Sequence, residues 1–294
     1  MKANEASSTA KVIAASTIFL ASDTRTAHLV AAGAGELCKK LLSTTRADRL
    51  LAWSAAQPLT RALWRCVERL TLPGILAHYW HRKRWLEERC RRAIADGFER
   101  VIVLGAGFDT LAYRLSREFP HVDVTEVDHP ATQGAKRRAL DADAEPATPP
   151  LHYLAIDLSA EPLPDSLRDD RRATIIVVEG VLMYLPELEV HRLFDSMRGL
   201  AAQNVRIFFS FMTKWPDGRS GFRPRSWLIE RWLWWRDEPF AWSLAPSAVN
   251  AFLAAHRFRL VELALTRQFT HGFGAQHAAG SALDGENLVW CEPA

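Results

Sequence analysis

Val101-Ile-Val-Leu-Gly-Ala-Gly-Phe-Asp-Thr-Leu-Ala-Tyr-Arg-Leu115 is the stretch on which the fold of this 294-residue chain turns. Val101 to Leu104 is an unbroken aliphatic run, the pattern of a strand buried on both faces of a parallel sheet. It ends in Gly105-Ala106-Gly107, and Leu111 and Leu115 then begin a helical spacing. Strand, glycine turn and helix in that order put the turn at the carboxyl end of the first strand, where open α/β sheets bind their ligands. The glycines let backbone approach such a ligand closely.

Working outward toward the C-terminus, strands and helices alternate, which predicts an α/β fold with a doubly wound, mostly parallel sheet. The second strand reads as Val122–Val127, the third as Leu151–Ile156, the fourth as Ala173–Val178 and the fifth as Val205–Phe211. A helix carrying Gln133 to Leu140 and a polar, Pro-rich loop over 141–150 separate the second strand from the third. Another helix starts near Pro186. Phe258–Leu265 and Asn287–Cys291 complete a seven-stranded count, the last expected as an antiparallel edge strand. Working back toward the N-terminus, residues 1–97 carry no strand pattern. Apolar residues recur there at helical spacing, as in Leu50-Leu51-Trp53 and Ala62-Leu63-Cys66-Leu70, with Pro58 and Pro73-Gly74 as breaks. A last helix over about Trp80 to Asp96 closes at Gly97, a C′ cap. The expected organisation is a helical cap (1–97) and a ligand-binding core (98–294), with a lid inserted at about 212–248.

Composition bounds the function. A hydrophobic fraction of 48% supports a full core, and a net charge of +3 demands no nucleic acid. The four cysteines lack CxxC spacing, which argues against a metal site or a disulfide scaffold and fits a reducing, cytoplasmic setting. No apolar run approaches the roughly 18 residues of a membrane span. Val12 to Ala21, preceded by Lys2 and Lys11, has the outline of a short signal peptide, but an ordinary N-terminal helix accounts for it as well.

Three of the first four strands end in a carboxylate: Asp128, Asp157 and Glu179. An acid after the second strand suits both hydroxyls of a ribose, and one after the third suits the exocyclic amine of adenine. Each could instead be an ordinary helix N-cap, but three at corresponding strand ends form a constellation. Thr110 stands where the dinucleotide fingerprint needs its third glycine, and Asp109 in the turn would repel a pyrophosphate. A cofactor without phosphate that carries an ammonium and a sulfonium fits better, which favours S-adenosylmethionine over NAD.

Leu104-Gly-Ala-Gly-Phe-Asp-Thr110, Glu126-Val-Asp-His-Pro130 and Glu179-Gly-Val-Leu-Met-Tyr-Leu185, in this order and spacing, resemble the leucine carboxyl methyltransferase family. The resemblance is clear over about 80–211 and weak in the N-terminal helices. It implies a Rossmann-like class I fold and S-adenosylmethionine-dependent O-methyl transfer, in a family that includes bacterial enzymes of polyketide and other natural-product biosynthesis. It further implies that Gly105 and Gly107 pass the methionine part of the cofactor, that Asp128 binds the ribose, that Asp157 and Leu158 hold the adenine, and that Glu179 lies beside the ammonium. Asp109 belongs to the same turn. Arg82, with Arg84 next, matches the arginine that pairs with the cofactor carboxylate, and Lys11 matches a lysine of similar role. Leu111 departs from the arginine that bacterial members often carry.

Methyl transfer from a sulfonium is an in-line displacement that positioning and desolvation can drive, with no metal expected. A carboxylate acceptor needs no base; a hydroxyl acceptor would benefit from one, the candidates being Tyr184, His271 and His277. The Trp- and Arg-rich insertion reads either as a lid over a flat anionic small molecule, with Trp234 and Trp235 against the substrate, or as a packing segment. The expected partner is a small-molecule acceptor, with no nucleic acid and no membrane; a protein C-terminal carboxylate, or cofactor binding without turnover, are the alternatives.

Overall fold

The computed structural model describes residues 6–141, 151–168, 171–200, 204–271 and 283–294, so most of the predicted 141–150 loop lies outside it. Five helices precede the sheet: α1 (Ser8–Ala21), α2 (Ala34–Leu41), α3 (Arg46–Ala56), α4 (Pro58–Thr71) and α5 (Ile75–Ala95). Each has a readable start. Ser7 accepts the Ala10 N–H ahead of α1, Thr45 accepts the Asp48 N–H ahead of α3, and Pro58 opens α4. Helix α5 begins before the expected Trp80, because Gly74 at φ 91° provides its N-cap. It ends as expected: Gly97 has φ 95°, and the Phe98 N–H reaches back to the Ala93 carbonyl, a Schellman closure. The segment 12–21 lies within α1, where Ala15, Ile18 and Phe19 are buried against Leu41, Leu42, Ala55 and Trp80. No helix among the described residues is long and apolar enough to cross a membrane.

The core then alternates β1 (Arg100–Leu104), α6 (Leu111–Glu118), β2 (Asp123–Asp128), α7 (Pro130–Asp141), β3 (Leu151–Ala155), β4 (Thr174–Val178), α8 (Glu187–Leu200) and β5 (Val205–Met212). Helices α9 (Trp227–Trp235) and α10 (Val249–Ala255) follow, then β6 (Phe258–Ala264), α11 (Thr266–His271) and β7 (Glu286–Pro293). The sheet order is β3-β2-β1-β4-β5-β7-β6, parallel from β3 through β5. Strand β1 is buried on both faces. Ile102 and Leu104 join Ile176, Val178, Phe194 and Met197 on one side; Val101 and Val103 join Ile175, Leu86, Leu111 and Leu115 on the other. β1 pairs with β2 on one side and β4 on the other, so the winding reverses there and opens a crevice at the carboxyl ends.

One expectation is corrected. The last strand is antiparallel, but it is not the edge: β7 lies between β5 and β6 and pairs antiparallel with both. Leu288, Val289 and Cys291 on β7 are fully buried, whereas Arg259, Val261 and Glu262 leave β6 partly in solvent, so β6 carries the edge polarity.

Candidate functional site

The turn after β1 is held in the left-handed region at Gly105 (φ 65°) and Gly107 (φ 53°). A Cβ on Gly105 would lie 2.2 Å from a Val181 methyl, so a side chain there meets both a strained backbone and the β4 turn. The Gly105 N–H donates to the Val127 carbonyl at 2.7 Å, and the Gly107 N–H donates to Asp128 Oδ2 at 2.7 Å. The other oxygen, Asp128 Oδ1, accepts the His129 N–H at 2.7 Å. Each carboxylate oxygen thus takes one backbone donor and keeps lone-pair capacity for a ligand. Burial pushes the Asp128 pKa up, while the backbone hydrogen bonds from His129 and Gly107 restrain the rise.

From the α5 side comes a run of alternating charges. Arg82 Nη1 donates to Glu286 Oε1 and Oε2 on β7, both at 2.8 Å, and Arg82 Nε donates to Glu179 Oε1 at 2.9 Å. Lys83 Nζ meets the same Glu179 oxygen at 3.0 Å and also pairs with Asp109. Opposite charges alternate from β7 to the glycine turn, so each buried charge has partners of the other sign. Burial would raise Asp109, but the Lys83 ammonium and its hydrogen bond hold it well below the usual carboxylate range. Burial likewise opposes ionisation of Glu286, yet Arg82 and His78 bring it down to about 2.

Arg82, Lys83, Asp109, Asp128 and Glu179 line one cavity of about 470 Å³ at the carboxyl ends of β1, β2, β3 and β4, with Glu286 and His78 behind Arg82 and off its wall. It brings together Arg82, Gly105, Gly107, Asp109, Asp128, Asp157, Leu158, Glu179 and Tyr184. Asp157 is the more open acid; its Oδ1 accepts the Ser159 N–H and hydroxyl at 3.0 and 2.6 Å, and its chain neighbours Ile156 and Leu158, both buried, also line the cavity. Burial keeps the Tyr184 phenol protonated far above its usual range, and its ring lies against Phe240 at 5.8 Å.

Other expected residues fall elsewhere. Lys11 does not line the cavity: its ammonium sits 2.9 Å from Asp48 of α3. Trp234 and Trp235 do not line it either, and are 74% and 65% exposed on α9. His277 and the His271 side chain lie outside the described residues. Two contributors were not read from the sequence. Lys83 sits in the run His81-Arg82-Lys83-Arg84, where no pattern tells which cation faces inward. Glu238 of the insertion accepts the Ser8 and Thr9 N–H groups at 3.0 and 3.1 Å, capping α1 over the cavity mouth. Only the N-cap preference for acids could have suggested it, and only once α1 was placed.

The leucine carboxyl methyltransferase family model matches residues 11–198. The chain is 33% identical over 174 residues to a provisionally named S-adenosyl-L-methionine-dependent methyltransferase of Saccharopolyspora erythraea, covering 55% of this chain and 60% of that one. It spans about half the length of the curated relatives it matches. Among solved structures, a DUF574 family protein from Streptomyces avermitilis superposes with a TM-score of 0.58 at 12% identity, over 88% of this chain and 96% of that one. A provisionally named methyltransferase from Thermobifida fusca gives 0.57 at 18%, over 88% and 94%. At such identities the likeness is one of fold.

Proposed function

The chain belongs to the leucine carboxyl methyltransferase family, and from that premise we propose that it is an S-adenosylmethionine-dependent O-methyltransferase acting on a carboxylate or hydroxyl of a small molecule. The observation that carries this reading is the convergence of Asp128, Asp157 and Glu179 on one cavity beside the Gly105–Gly107 turn. An adenosyl amino acid suits that donor and acceptor set. Asp128 keeps lone pairs for two ribose hydroxyls, and Ile156 and Leu158 flank Asp157 as a slot for a flat base. The contacts of Glu179 with Arg82 and Lys83 fall on Oε1, which leaves Oε2 to accept from an ammonium. The cofactor, when bound, supplies a methyl group on a sulfonium, open to in-line displacement.

The residues of the chain bind, orient and exclude water. Arg82, expected to pair with the cofactor carboxylate, is engaged with Glu179 and Glu286, so Lys83, the less buried of the two cations on the cavity, answers that carboxylate in the role expected of Arg82 and Lys11. The helical cap acts through α1, and the lid through Asp237, Glu238 and Pro239, both bordering the mouth. Tyr184, keeping its proton, donates a hydrogen bond to the acceptor rather than removing a proton from it. That favours an acceptor already ionised at neutral pH, a carboxylate.

The test is transfer from methyl-labelled cofactor to panels of small carboxylic acids, small phenols and alcohols, and peptides ending in leucine. Label released as methanol by mild alkali marks a carboxyl ester; label that resists it marks an ether. Transfer only to peptides would move the reading to a protein carboxyl terminus. Tight binding of S-adenosylhomocysteine with no transfer to any panel would replace it with a non-catalytic, cofactor-binding role.

A further inference from the structure

Helix α4 is inside out. Three of its four charged residues reach into the protein: Arg61 donates to the Ser22 carbonyl, Arg65 pairs with Asp23, and Glu68 Oε1 accepts the Leu76 N–H at 3.1 Å, while Arg69 is exposed. Trp64 packs inward against Phe19, but the other large apolar residues face outward. Leu59 is 90% exposed and Leu70 77%, Leu63 and Val67 are at least half exposed, Cys66 is exposed, and none of the 14 residues is buried. Leu50 and Trp53 of the neighbouring α3, also more than half exposed, extend the patch. Together these side chains offer several large exposed apolar groups along one helix face, the kind of surface that marks an interaction site, where a stable interface covers ~800 Å² per partner.

We propose that this face is the interface with a second copy of the chain, the two α4 helices packing antiparallel across a two-fold axis. A two-fold interface must be self-complementary, and α4 meets that requirement in its spacing. Leu59, Leu63, Cys66 and Leu70 are separated by four, three and four residues, the seam of a helix pair, and that sequence of steps is the same read in either direction. An antiparallel copy therefore sets Leu59 against Leu70 and Leu63 against Cys66. The same register opposes Ala62 to Val67 and Thr60 to Arg69, so no charge meets a like charge.

The register places the two Cys66 side chains close to the axis, within reach of a short bis-maleimide. Cys38, Cys90 and Cys291 are buried, so a cross-link in the native protein reports Cys66. The experiment combines sedimentation velocity of the full chain at micromolar concentration with that cross-link, in the wild type, Cys66→Ser and Leu63→Glu. A dimer, cross-linked in the wild type but not in Cys66→Ser, is expected. Leu63→Glu sets carboxylates into the seam and should weaken dimerisation at least a hundredfold; because Leu63 is exposed, its far-UV circular dichroism should match the wild type. A monomer without cross-link would overturn the proposal. So would a monomer that floats with anionic phospholipid vesicles and loses this in Leu63→Glu, which would assign the face to a lipid surface. A dimer unaffected by Leu63→Glu would place the interface elsewhere.

Discussion

Lys83 Nζ lies 3.0 Å from Glu179 Oε1 while paired with Asp109, so one ammonium ties the glycine turn after β1 to the end of β4. Burial works against its charge, but Asp109 and Glu179 prevail and raise its pKa, so it stays cationic at neutral pH. Replacing it with Met leaves two mostly buried carboxylates less compensated and removes the partner proposed for the cofactor carboxylate. The dissociation constant of S-adenosylhomocysteine should rise about ten- to a hundredfold, about 1.4–2.7 kcal/mol. Lys83→Arg should recover part of that. Lys11→Met should change it less than threefold. Titration calorimetry reads all three.

Asp128 acts on both sides of the turn, accepting from Gly107 and His129 and lining the cavity. Asp128→Ala should weaken cofactor binding at least a hundredfold, and Asp128→Asn, which keeps one carbonyl acceptor, should fall between. Burial raises its pKa, and the cofactor hydroxyls need the ionised form. Binding should therefore be complete at neutral pH and weaken on acidification, starting at a higher pH than an ordinary aspartate would give. Affinity measured against pH checks this; a flat profile down to pH 4 would remove Asp128 from the ribose contact.

How much of this was legible follows from the range of the interactions involved. Strand ends announce themselves locally, by an aliphatic run that stops at Gly or at an acid, and so Gly105, Asp128, Asp157 and Glu179 could be placed together from spacing alone. Lys83 could not, because Arg82, Lys83 and Arg84 differ only in helix phase, and the phase of α5 is set by packing against β1 and β4. The position of β7 depends on which edge β6 takes, a non-local choice. Trp234 and Trp235 show the opposite problem: aromatic content suggested a binding role, whereas their exposure predicts that Trp234→Ala changes cofactor and acceptor affinity less than twofold in the same titrations.

Glu286 offers a stability test with a definite sign. Its folded pKa, about 2, lies below the ordinary 4.5 despite burial, because Arg82 and His78 hold the carboxylate ionised. The unfolded state thus binds the proton more readily, and stability from this group is present above about 4.5 and lost as pH falls toward 2. Glu286→Gln removes one partner from a buried pair and should cost about 3 kcal/mol at pH 7. The difference between variant and wild type should shrink between pH 4.5 and 3. Urea unfolding at pH 7, 4.5 and 3 measures it; a constant difference would mean that Glu286 acts by packing alone.

Tyr184 separates the two acceptor chemistries. Burial, with Tyr79 and Glu238 adding to it, moves its phenol so far up that it gives no proton-transfer limb below pH 10. As a hydrogen-bond donor to a carboxylate, it should make Tyr184→Phe lose about tenfold in kcat/KM, of the size of one hydrogen bond to a charged group. Affinity for S-adenosylhomocysteine should be unchanged, and the rate flat between pH 6 and 9. A base working on a hydroxyl acceptor would instead bend the wild-type profile within that range. If the limb disappears in Tyr184→Phe, the phenol is taking the proton and the donor role assigned to it falls; if it persists, another group is the base and the acceptor is a hydroxyl.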